Sequence, residues 1–121
     1  MLRQEDRPLD VGLVAAVIAS GGSLSPAVNL QGLHLCGIRM PAGWDAADIT
    51  FQVSYDDGAT FRDLYDVSGE VSIPVAANRH VVLELARFVG IGGWIKVRSG
   101  TAGAPVNQTA NRSVELVTRA L

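Results

Sequence analysis

The stretch Ser54–Phe61, SYDDGATF, gathers the side chains of this sequence best placed to do chemistry. Asp56 and Asp57 are adjacent carboxylates, and Ser54 and Thr60 bring hydroxyls close to them. Two carboxylates can divide acid and base roles when they face one proton or one bond, but neighbours on a turn point different ways. They can also ligate calcium, but a calcium loop needs further oxygens at set spacings and a closing Glu, and none follows here. A local role fits the residue types better. Asp56 can accept backbone N–H groups across a turn. Gly58 can supply positive φ in a short hairpin loop with a bulge. Thr60 can bond back to the loop, and Phe61 can restart the strand by packing into the core. Ser54, Asp56, Gly58, Thr60 and Phe61 are therefore assigned to a structural hairpin turn.

The other reactive side chains do not assemble into a site. His34 and His80 have no second His, Cys or carboxylate at ligand spacing, so no metal is expected. Cys36 is the single cysteine, which rules out an internal disulfide. It lies in the apolar run LHLCGIRM, away from any helix N-terminus, and reads as a buried, inert thiol. No G-x-S-x-G occurs. The glycine-rich GIGG and GTAGAP lack the Lys-Ser/Thr and the following helix of a phosphate loop, and read as loops at one end of the fold. No nucleophile, base and orienter come together, so neither an enzyme nor a cofactor is expected. Asn107 and Asn111 head glycosylation sequons, which matter only in a secretory pathway. Trp44, in PAGWDAAD, is either a rim tryptophan capping the core or an exposed ring able to stack on a sugar or anchor a partner. Trp94 opens a strand and is expected to pack under a loop. Arg98 belongs with Arg39, Arg79, Arg112 and Arg119, which fall on strand faces or ends and suit bidentate, partly buried pairs between subunits. Trp44 and Arg98 are the candidate contacts for a glycan or a partner.

These residues must be held by strands. The 121 residues correspond to one domain. Charged residues make up 18%, against roughly 25% in typical soluble domains, and the mean hydropathy is +0.24. Such a lean surface suggests that part of it is hidden against copies of itself or a partner, so a homo-oligomer is expected. A net charge of −2 gives no basic footprint for nucleic acid. Val11–Ala19 is apolar but too short to span a bilayer, and no basic segment leads directly into it. It reads as a strand rather than a signal peptide, and no membrane partner is expected.

Period-2 alternation is clear in ITFQVSY, with Ile49, Phe51, Val53 and Tyr55 on one face. EVSIPV, HVVLEL, WIKVRS and SVELVTR follow the same pattern, while VGLVAAVI and LHLCGIRM are apolar on both faces. A short strand is expected at RDLYD, and single helical turns at PAGWDAAD and LELARF. The segments SGGS, PAGWD, DDGA, VSG, AAN, GIGG and GTAGAP separate them as turns. The expectation is an all-β fold: a single jelly-roll-like antiparallel β-sandwich of about eight strands, one domain over 1–121, with 1–10 a docking arm.

Two resemblances bear on function. SYDDGATF matches the Asp-box pattern S-x-D-x-G-x-[ST]-[WF] seen in sialidase-type propellers and other β proteins. A propeller would need several such boxes, and one is present. Gly37–Ala47, Ser54–Phe61 and Lys96–Gln108 together resemble a pattern found in small proteins encoded among the structural genes of tailed phages, prophages and gene-transfer-agent-like elements. The likeness runs from about Leu33 to Arg119, with one extra residue at Asp56–Asp57. The strand–turn order is also similar to discoidin-type jelly rolls, whose loops at one end bind glycans or lipids.

The phage resemblance implies a virion structural protein, assembled in a bacterial cytoplasm, acting as a head decoration or head-spike base subunit. Its partners would be the major capsid protein, other virion proteins and sister copies. The discoidin resemblance implies the alternative, a carbohydrate-binding module of a spike or tail that takes a host glycan through Trp44 and the GIGG and GTAGAP loops. A neck or tail component shares the assembly physics of the first reading.

Overall fold

The computed structural model describes residues 11–91 and 93–121. The expected docking arm, residues 1–10, lies outside them. The described chain is all-β: two four-stranded antiparallel sheets, a two-stranded ribbon and a single 3-10 turn at Leu85–Arg87. The first sheet holds β1 (Val11–Ile18), β10 (Arg112–Arg119), β3 (His34–Arg39) and β8 (His80–Val82), in that spatial order. The second holds β2 (Val28–Asn29), β9 (Trp94–Ser99), β4 (Ile49–Ser54) and β5 (Arg62–Asp63). The ribbon pairs β6 (Tyr65–Asp66) with β7 (Gly69–Glu70). One core joins the inner faces of both sheets, which makes the fold a β-sandwich.

The pairing is nested. β1 pairs with β10, β2 with β9, β3 with β8, and β4 with β5. The ladders β10–β3 and β9–β4 stitch these ribbons into sheets. The Ser54–Phe61 loop connects β4 to β5 and so lies at the innermost tip of the nest.

Alternation decides which side chains enter the core. Ile49, Phe51 and Val53 of β4 and Ile95 and Val97 of β9 face inward and are buried, as do Val114 and Leu116 of β10. In β3 the phase changes. Val117 lies opposite Gly37 and Thr118 opposite Leu35, so Cys36 is the extra residue of a bulge. Leu35 and Ile38 can then both face the core although three positions apart. The Cys36 thiol donates to the Val117 carbonyl at 3.4 Å. The core is anchored by Phe51 and Phe88, whose rings meet edge to face at 5.4 Å and 80°, an arrangement worth about 1 kcal/mol beyond area burial.

Several expectations need correction. Val11–Ile18, apolar on both faces, buries only Ala16 and Ile18, while Val11, Leu13 and Val17 are exposed on an edge strand. RDLYD is not one strand. The Leu64 N–H bonds to the Phe51 carbonyl and the Leu64 carbonyl accepts from Val71, so the chain turns from the second sheet into the ribbon at that residue. EVSIPV yields β7 and a single bridge, Ile73 to Ile49, because β4 has no further free length there. Tyr55 leaves the core face because β4 ends at Ser54. Phe61 does not pack into the core either. It is half-buried outside it, with the Lys96 ammonium 4.4 Å above its ring.

This placement predicts a contrast between two phenylalanines. Phe88→Ala should lower unfolding free energy by about 3–5 kcal/mol. Phe61→Ala should lower it by only about 1 kcal/mol, the scale of an exposed cation–π contact. Urea denaturation of the two variants checks both.

Candidate functional site

Three polar clusters and two surface grooves compete for the role of a site. The first cluster is the Ser54–Phe61 tip. The Ser54 hydroxyl donates to Asp56 Oδ1 at 2.7 Å and accepts from the Gly58 N–H at 2.9 Å. Asp56 Oδ1 also accepts from the Thr60 N–H at 2.8 Å, and Asp56 Oδ2 from the Thr60 hydroxyl. Asp57 (φ 60°) and Gly58 (φ 87°) both take the left-handed conformation, which Asp tolerates better than most residues. The Asp57 carboxylate turns away from Asp56 and accepts the Trp94 indole N–H at 3.0 Å. The Trp94 ring lies against Gly58, where a Cβ would sit 3.4 Å from it. The two carboxylates therefore share no proton. The Thr60 hydroxyl and N–H, with Ser54, hold Asp56 down to about 2, from an ordinary value of 3.8. A carboxyl ionised that firmly is a poor general acid near neutrality.

The second cluster surrounds Arg98. Read in sequence as a contact for a glycan or partner, Arg98 is only 7% exposed and satisfied within the chain. Its Nη2 donates to Asp63 Oδ1 at 2.5 Å, and its Nη1 to Glu70 Oε2 at 3.2 Å and Thr50 Oγ1 at 3.4 Å. The Asp63 carboxyl lies below its usual range chiefly because of that guanidinium. The second Arg98 partner, Glu70, also receives the Ala102 N–H at 3.1 Å, linking the ribbon to the GTAGAP loop.

The third cluster is centred on Gln108, which is fully buried. Its Nε2 donates to Ser99 Oγ at 2.8 Å and to the Asp45 carbonyl at 3.1 Å. Its Oε1 accepts from the Asp45 N–H at 2.9 Å and Arg112 Nε at 3.1 Å. Its backbone pairs with Gly21 and Gly22. Side chain and backbone of this one residue thus tie the β1–β2, β3–β4 and β9–β10 loops together. Asp45 is held below its usual range mainly by the Thr109 N–H, with the Thr109 hydroxyl and Arg112 adding to it.

Trp44 sits beside this cluster. It is half-buried against the core, and its indole N–H donates to the Ala47 carbonyl at 3.0 Å. Its expected companions separate. GTAGAP lies near Asp48 and Glu70, whereas GIGG lies near Leu30 and Tyr55, beside the Ser54–Phe61 tip. The glycan site expected from Trp44, GIGG and GTAGAP together does not assemble.

His34 and His80 lie on β3 and β8, without a third ligand-type side chain. Among the described residues no group of three His, Cys, Asp or Glu could hold a metal. No described helix is long and apolar enough to cross a membrane.

The grooves carry more. One, of about 680 Å³, runs over the outer face of the first sheet between Val11, Leu13, Val117, Arg39 and His80. The other, of about 470 Å³, lies at the β4–β5 edge between Tyr55 and Tyr65, with Asp56, Thr60, Arg62 and Asp63 around it. Neither was visible in sequence. Tyr55 and Tyr65 stand ten positions apart with no periodic link, and the alternation of ITFQVSY points Tyr55 the wrong way. No protein-family model, curated protein or solved structure matches the chain.

Two measurements follow from the clusters. The folded-state value of Asp56 lies below its unfolded value, so its contribution is present above about 4 and lost as pH falls through about 2. Acid unfolding of the Asp56→Asn variant should be flatter than that of the parent across that window. Gln108→Ala strands the Ser99 hydroxyl, the Asp45 N–H and Arg112 Nε, and should cost about 2 kcal/mol or more, read by thermal and urea unfolding.

Proposed function

We propose that the chain is a structural subunit of a virion, a head decoration or head-spike base that acts by protein–protein contact with the major capsid protein, other virion proteins and sister copies. We also infer that the sandwich is wound as a jelly roll. Its nested ribbon alternates between two four-stranded sheets, the pattern of double-sheet folds with two Greek keys.

One observation carries the assembly reading: the outer face of the first sheet is apolar along its edge. Val11, Leu13 (51% exposed) and Val17 point outward from β1, Val82 from β8, and half-buried Val117 lies between them on β10. β1 carries no charge, proline or bulge within Val11–Ile18. Proteins that remain monomeric usually blunt an edge strand with such devices, so an unblunted one implies a cover. Arg39, Arg79 and His80 at the rim of the same groove can fix the register of a docked surface by hydrogen bonding. The polar clusters, by contrast, are satisfied within the chain and brace the loops. This division suits a protein that adds contacts across a shell, where each contact favours the assembled state by mass action. A neck or tail position would use the same face.

The copy number of the chain in purified particles, measured by quantitative mass spectrometry against the major capsid protein, tests the reading. A ratio near that of the capsid protein supports decoration. A few to a few dozen copies supports a spike base, neck or tail. Absence from particles overturns the proposal. Leu13→Asp should leave the fold intact by circular dichroism and reduce incorporation at least tenfold.

A further inference from the structure

The structure assigns a saccharide-binding groove to the β4–β5 edge, between Tyr55 and Tyr65. This inference stands apart from the assembly role: the groove belongs to the second sheet and its ribbon, not to the face of β1.

Aromatic placement comes first. The chain has seven aromatic residues, three Phe, two Trp and two Tyr. Phe51 and Phe88 fill the core. Phe61 lies under Lys96, Trp44 is half-buried, and Trp94 covers Gly58. The two widely exposed rings are Tyr55, at 74%, and Tyr65, at 60%, and both line one groove. Val53 is buried and Leu64 half-buried, so between the tyrosines they make an apolar floor.

Rigidity comes second. The Tyr55 hydroxyl donates to the Gly90 carbonyl, which fixes that ring. Tyr65 sits on the ribbon, and the neighbouring Asp66 is bound by Arg87 at 3.1 Å. Both walls are thus tied to the 87–90 segment, and little order remains to be imposed when a ligand enters.

The polar groups come third. Asp63 Oδ1 accepts from Arg98 and Gln52, while Oδ2 has no partner among the described residues. Asp56 uses three acceptor positions on Ser54 and Thr60, of roughly four that a carboxylate offers. The Arg62 guanidinium is exposed, with no hydrogen bond or ion pair among the described residues. The groove therefore offers ring faces, carboxylate acceptors and a planar donor fork side by side. That set matches a pyranose, whose axial C–H face stacks on an aromatic ring while its hydroxyls bridge a carboxylate and a guanidinium. A proline-rich peptide could also lie against two aromatic rings, but it has no hydroxyls to bridge the Asp63 carboxylate and the Arg62 guanidinium.

The two tyrosines make a direct readout. Protein grown with 3-fluorotyrosine gives two ¹⁹F resonances, assigned with Tyr55→Phe and Tyr65→Phe. The probes are maltohexaose, cellohexaose, mannohexaose and chitohexaose, each to 10 mM, with a proline-rich decapeptide for comparison. At least one hexaose should shift both resonances along a single saturation curve. Tyr65→Ala and Arg62→Ala, both exposed and expected to fold normally by circular dichroism, should each weaken that binding about tenfold, the factor that corresponds to 1.4 kcal/mol. The proposal is overturned if no hexaose moves either resonance, if the decapeptide moves them and no hexaose does, or if binding survives both alanine variants unchanged.

Discussion

A guanidinium placed almost out of water constrains much of this molecule. Arg98 stands on β9 with its charge close to Asp63 of β5 and Glu70 of β7. Burying such a charge unpaired would cost several kcal/mol, so the edge strand and the ribbon must both come to it. Glu70 then holds the Ala102 N–H, and the ribbon that carries Tyr65 takes its place beside β5. Remove the guanidinium and two carboxylates are left facing one another over Thr50. A buried ion pair adds little net stability. Here its effect is on geometry, since the position of an otherwise short and weakly paired ribbon is set by it.

Gln108 plays the corresponding part beside it, without charge, bonded to Ser99, the residue after Arg98. A primary amide can donate two hydrogen bonds and accept two, and Gln108 makes all four. With one end closed by an amide and one flank by a guanidinium, the loops are braced and the two grooves lie on separate sheets. On the first sheet the apolar residues of β1 are rimmed by Arg39, Arg79 and His80. The groove between the tyrosines has Val53 and Leu64 beside Asp56, Arg62 and Asp63. The face proposed for assembly and the groove proposed for a saccharide therefore lie on different sheets of one small domain.

Much of the fold was legible in the residues. ITFQVSY and WIKVRS alternate cleanly and form the paired centre of the second sheet over Ile49–Ser54 and Trp94–Ser99. The turn at SYDDGATF was legible because Ser54, Asp56, Gly58 and Thr60 interact within a few positions of each other. What escaped was non-local or out of phase. Arg98 meets partners 28 and 35 positions away, and no spacing rule could single them out among the acidic residues. The bulge at Cys36 shifts the inward phase of β3, which an apolar run on both faces concealed. Leu64 splits RDLYD because a single backbone bond to Phe51 ends the sheet there. The tyrosine groove depends on that same split, so it could not be read before the split was known.

The nested pairing has a consequence for how the protein is made. β4 and β5 are joined by a short loop and can pair as soon as both have left the ribosome. β1 cannot: its partner β10 begins at Arg112, after every other strand has been synthesised. Domains grow during synthesis at roughly 5–20 residues per second, so the apolar edge Val11–Ile18 waits for several seconds with its main ladder unmade. Closing a chain of that length is also entropically slow. The edge strand with the most exposed apolar side chains is thus the one that waits longest for its partner in the nascent chain.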